Sequence, residues 1–180
     1  MAASIPAGTV SFVDTPVSQM RKVIAKRLGE SLFTAPHFYL TISIDMDNAM
    51  AARTAINTVA PVKVSFNDIV IKAVAIALKK HPAVNSSWGG DKIRFNEHTN
   101  IGVAMAVEDG LLVPVIRNVA GLNLRDVAVQ SKILVQQARE GKITAAQMQG
   151  GVFTITNLGA FGIDSFTPVI NYPEAAILGL

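Results

Sequence analysis

The residues best placed to do chemistry lie in one glycine-rich stretch, Gly150-Gly151-Val152-Phe153-Thr154-Ile155-Thr156-Asn157-Leu158-Gly159-Ala160-Phe161-Gly162. A strand-like run ends at Thr156-Asn157, and Gly159 and Gly162 follow at the spacing of a tight turn. Two readings fit. In one, Thr156 and Asn157 satisfy the backbone of that turn with their own side chains. In the other, Thr156 holds a hydroxyl donor toward a developing oxyanion, a contact whose loss typically costs about 10²–10³ in rate. The residues alone leave both open.

Partners for such a hydroxyl are few. His37 begins a run after Pro36, His81 separates a helical segment from Pro82, and His98 lies in a polar loop. Taken singly, each reads as structural more readily than catalytic. His81-Pro-Ala-Val-Asn85 fits a His-x-x-x-Asn spacing by chance, with Ser86 following where a glycine would complete it. No two histidines stand four apart as on a zinc-binding helix, and no Gly-x-Ser-x-Gly elbow, Walker loop or dinucleotide fingerprint is present. The chain has no cysteine, which removes disulfides, thiolate nucleophiles and thiolate metal sites. Metal and nucleotide chemistry are therefore not expected.

The elements that must position these residues read as a mixed α/β domain. Half of the 180 residues are hydrophobic and 16% are charged, enough for one substantial core. The net charge of +3 is mild, and Arg21-Lys22-x-x-x-Lys26-Arg27 fits a solvated helix face better than a phosphate or nucleic-acid patch. Residues 1–16 read as an extended arm and 17–180 as one domain. Ser18 precedes a helix with Met20, Val23, Ile24 and Leu28 on one stripe. His37–Asp45 reads as a strand, residues 47–58 as a helix, and Asp68–Lys80 as a buried helix capped by Ser65 or Asn67. Ile101–Val107 and Leu111–Ile116 read as two strands buried on both faces, joined at Asp109-Gly110. Asn123 caps a helix ending near Gly141, Thr144 starts a short one, and strands close the chain at Val152–Thr156 and Ala175–Leu180. The basic start and apolar run of a signal peptide are missing from Met1–Pro6, and no apolar run is long enough to span a bilayer, so a soluble protein is expected; the lack of cysteine fits a cytoplasmic one.

Eight segments, in order, carry a resemblance to a known family. They are Met20–Leu28, Pro36-His37-Phe38, Val64–Ala73, His81–Ser86, Asn100–Val107, Asp109–Ile116, Gly150–Gly162 and Pro168–Leu178. Together they resemble the catalytic domain of the acyltransferase (E2) components of 2-oxoacid dehydrogenase complexes, over nearly the whole chain. The Leu-Gly-x-Phe-Gly form of the turn is closer to acetyl-transferring members.

The resemblance implies a fold like chloramphenicol acetyltransferase, a mixed sheet flanked by helices. It also implies trimers with active sites between subunits, built into cubic or dodecahedral cores. The substrates would be coenzyme A and a lipoyl group carried on another domain, and the partners the dehydrogenase (E1) and dihydrolipoamide dehydrogenase (E3) components. The compartment would be the cytoplasm, or the mitochondrial matrix of a eukaryote. Thr156 matches the family's oxyanion-stabilising hydroxyl, usually Ser, and Asn157 is a turn neighbour with an orienting role. Ser86, Ser87 and Arg53 are candidate contacts for coenzyme A, against a plain surface reading for each. The family's general base lies in a His-Arg-x-x-Asp-Gly motif that does not occur before Leu180. On this reading the chain lacks a C-terminal strand and helix and is inactive as given. The rival reading is a non-catalytic, self-assembling scaffold.

Overall fold

The computed structural model describes Gly8, residues 10–108 and residues 110–180. Four helices, α1 (Gln19–Thr34), α2 (Asp47–Val59), α3 (Phe66–Lys80) and α4 (Leu124–Arg139), accompany eight short strands. The central sheet has four strands in the order β6 (Val115–Ile116), β3 (Ile101–Val103), β7 (Phe153–Thr156) and β8 (Ile177–Gly179). β3 runs antiparallel to β6 and parallel to β7, which is in turn parallel to β8. Two antiparallel ribbons lie beside it, β1 (Ser86–Trp88) with β2 (Ile93–Phe95) and β4 (Met105–Val107) with β5 (Gly110–Leu112). This is the mixed α/β architecture expected.

Helix starts follow local chemistry. The Ser18 and Asn123 side chains accept from Arg21 N and Asp126 N. Ser65, the cap of α3, forms a reciprocal capping box with Asp68. The short helix after Thr144 is a 3-10 turn, Ala145–Met148, with its own Thr144–Gln147 box.

The core forms where α3 and α4 cover one face of the sheet. Ile71, Ala75 and Leu78 of α3 and Val127 and Leu134 of α4 meet Ile101, Val103, Phe153 and Ile155. Strand alternation sends the odd-numbered residues of β3 and β7 into this core and leaves Gly102, Thr154 and Thr156 on the opposite face.

Four expectations change. His37–Asp45 forms no strand, because its backbone finds no ladder partner among the described residues. Phe38, Leu40, Ile42 and Ile44 consequently stay exposed, the first three by about four-fifths. Helix α3 is not buried all round, since Ile76 is 45% exposed. The long apolar strands are broken. At Ala104 the backbone N–H turns to Ile155 O, and Pro114 has no N–H to donate, so β4–β5 splays off as a separate, half-exposed ribbon. On α1, Met20 and Ile24 pack against Gly110, Leu28 faces the cavity beside β7 while staying 43% exposed, and Val23 is half-exposed. Asp109 lies outside the described residues; the strands on either side of it pair as the turn signal requires. Residues 10–16 form no helix or strand, and residues 1–7 and 9 lie outside the described set.

Candidate active site

Thr154 and Thr156, two residues apart on β7, face the same cavity of about 210 Å³. Its walls are largely apolar, with Leu111, Val113 and Ile177 near the strands and the segment 166–172 opposite. Arg27 and Glu30 of α1 also line it.

The two threonines are differently committed. Thr154 is fully buried, and its hydroxyl donates to Glu174 Oε2 at 2.7 Å. Asn171 Nδ2 donates to the other carboxyl oxygen at 3.0 Å. Burial, with Glu174 only 6% exposed, pushes that carboxyl up to about 7, against the opposing pull of the Thr154 and Asn171 hydrogen bonds. A Cβ at Gly102 on the neighbouring strand would stand 2.9 Å from Val113 Cγ1 and 3.1 Å from Thr154 Oγ1, so only glycine leaves this arrangement intact.

Thr156 is half-buried at the end of β7, where its carbonyl accepts from Leu180 N at 2.9 Å. Its hydroxyl makes no hydrogen bond among the described residues. The following turn is held by Asn157, whose Oδ1 accepts from Gly159 N at 2.9 Å and whose Nδ2 donates to Asn67 Oδ1 at 2.7 Å. Asn67 belongs to the first turn of α3, so the end of β7 is tied to the core helix. Gly162 closes the turn in the left-handed region at φ +71°. Asn157 thus meets the needs of the turn and leaves the Thr156 hydroxyl free.

The far wall is fixed from α1. Ser31 Oγ donates to Ile170 O at 2.5 Å, and Ile170 N donates to His37 Nε2 at 3.0 Å. His37 Nδ1 faces Ala35 O at 2.5 Å, which makes Nδ1 the protonated nitrogen.

The other sequence candidates stand apart from this cavity. Ser86 Oγ donates to Ala83 O, and Ser87 Oγ accepts from Asn96. The Arg53 guanidinium lies 4.6 Å over the Phe66 ring and donates to Val64 O. None of the three histidines lines the cavity. The Glu174 bridge and the grip on Ile170 escaped sequence reading; the signals were a Thr-x-Thr pair on one strand face and a lone Glu within an apolar run.

A sequence model describing the 2-oxoacid dehydrogenases acyltransferase catalytic domain matches residues 10–180. The chain belongs to the 2-oxoacid dehydrogenase acyltransferase family. The mitochondrial dihydrolipoyllysine-residue acetyltransferase component of the pyruvate dehydrogenase complex of Schizosaccharomyces pombe is 43% identical over 99% of this acyltransferase-family chain and 38% of its own length. The chain therefore spans about two-fifths of that relative. Among solved structures, the Azotobacter vinelandii dihydrolipoamide acetyltransferase matches with TM-score 0.91 and 36% identity, over 98% of this chain and 76% of that one. It was determined to probe a serine, a histidine and an asparagine in its catalytic mechanism. The cubic core of a pyruvate dehydrogenase multienzyme complex matches with the same score, identity and coverage. The fold is that of these transferase cores, similar to chloramphenicol acetyltransferase.

Proposed function

We propose that the Thr156 cavity is the acyl-transfer site of an acetyltransferase core, moving an acetyl group between coenzyme A and a dihydrolipoyl thiol. One observation carries this reading. Of two threonine hydroxyls facing one apolar cavity, Thr154 is consumed by Glu174 and Thr156 is uncommitted. A strand-borne hydroxyl donor facing a largely apolar pocket suits the oxyanion of a tetrahedral thioester intermediate. A cavity of about 210 Å³ holds the acyl and sulfur ends of the substrates rather than a whole cofactor.

In the proposed step a base takes the thiol proton, and the thiolate attacks the thioester carbonyl carbon. The carbonyl π electrons move to oxygen, where Thr156 Oγ–H donates. Collapse of the oxyanion expels the second thiolate, which takes a proton. Asn157 keeps Thr156 aimed by bonding the turn to Asn67. Ser86, Ser87 and Arg53 are hydrogen-bonded within the fold and do not line this cavity.

Thr156→Ala in the complete enzyme should lower kcat about 10²–10³-fold, with Thr156→Ser retaining most activity. An alanine variant within a few-fold of wild type would remove the proposal. No histidine lines the cavity, and a general base contributes roughly 10²–10⁴-fold. The 180-residue chain alone should therefore acetylate dihydrolipoamide from acetyl-CoA at no more than a trace rate. Robust turnover abolished by His37→Ala or His81→Ala would place the base within this chain and overturn that expectation.

Assembly into trimers, and into larger cores with the dehydrogenase and dihydrolipoamide dehydrogenase components, belongs to the same proposal. So does a cytoplasmic or mitochondrial-matrix setting. The exposed apolar row of Phe38, Leu40, Ile42 and Ile44 supports association. It equally supports the second reading, a self-assembling core whose role in this chain is structural.

A further inference from the structure

Ile170 is the point where the cavity wall is gripped from outside. Its N–H donates to His37 Nε2 at 3.0 Å, and its carbonyl accepts from Ser31 Oγ at 2.5 Å. Ser31 is almost fully buried, the one buried residue of α1, so at this point the helix contributes a buried polar grip. The next residue, Asn171, is held from the other side through Glu174, which also binds Thr154 on the strand that carries Thr156. The wall segment is thereby referenced to β7 at one anchor and to α1 at the other.

We propose that His37, with Ser31, is a positioning residue of the Thr156 cavity. Its neutral Nδ1–H imidazole fixes the distance between the Ile170 wall and the Thr156 hydroxyl. The imidazole does this because its two nitrogens have different tasks. Nδ1–H is spent on Ala35 O, which orients the ring and leaves the Nε2 lone pair as the acceptor for Ile170 N–H. His37 does not line the cavity and acts only through Ile170. The assignment deepens the transfer-site reading above, but its test does not depend on transfer.

The absence of cysteine provides the assay. In a Thr156→Cys background, the alkylation rate of the single thiol by iodoacetamide reports access past the wall. His37→Leu, which removes the acceptor, should raise that rate roughly five- to tenfold, the scale of one lost buried hydrogen bond. His37→Gln, whose side-chain oxygen replaces Nε2, should restore it to within about twofold, and Ser31→Ala should raise it. A general loss of stability would not be rescued by glutamine. An unchanged rate in His37→Leu, or a glutamine variant as fast as leucine, would overturn the assignment. Should the leucine variant fail to fold, the imidazole ¹⁵N spectrum of the wild-type chain decides. Proton on Nδ1 with bare Nε2 supports the role; the opposite tautomer ends it. If Thr156→Ala leaves kcat unchanged while these outcomes hold, the transfer-site reading fails and the positioning role stands.

Discussion

Thr154 and Thr156 carry the same side chain, two residues apart on one strand, and only their neighbours set them apart. Glu174 separates them by claiming the first. That carboxyl sits at about 7 instead of 4.5, chiefly because burial penalises its charge. Between those values the folded chain holds a proton that the unfolded chain has released, so stability falls as pH rises through this window. The full penalty, on the order of 3 kcal/mol, applies above pH 7 and is absent below about pH 4.5. Glu174→Gln keeps an acceptor for Asn171 and meets Thr154 with an amide, without a charge. Its melting temperature should exceed that of wild type at pH 8, with the gap closing toward pH 5. Parallel melting curves across that range would show that Glu174 does not titrate there.

At the scale of elements, the Asn157–Asn67 bridge sets the end of β7 against the start of α3. Asn157→Ala removes that contact together with the Gly159 bond and should cost about 1–3 kcal/mol by chemical denaturation. A double-mutant cycle with Asn67→Ala should show coupling of at least about 0.5 kcal/mol; additive losses would mean the two side chains act separately. Helices were legible in the sequence because their starts are local: Ser18, Ser65 and Asn123 each cap within three residues. Strands were less so. His37–Asp45 has strand composition, but a strand exists only with a partner, and pairing is not written in the segment itself. The Thr156 turn was visible through its glycines. The cavity was not, because Ser31 and His37 meet Ile170 across 139 and 133 residues.

For the whole molecule, the unpaired row at Phe38, Leu40, Ile42 and Ile44 dominates the exposed surface of the 36–45 segment. A patch of this kind is rarely left bare in solution. Light scattering should give a mass that is a multiple of three chains, and Ile42→Lys should shift it toward one chain. A monomer that stays soluble without the substitution would remove assembly from the proposal. The fold's long-range stitching also has a consequence during synthesis. Helix α1 leaves the ribosome with Ser31 still without its acceptor. At roughly 5–20 residues per second, Ile170 follows on the order of ten seconds later. For that interval the nascent chain carries half of a cavity wall with nothing to hold.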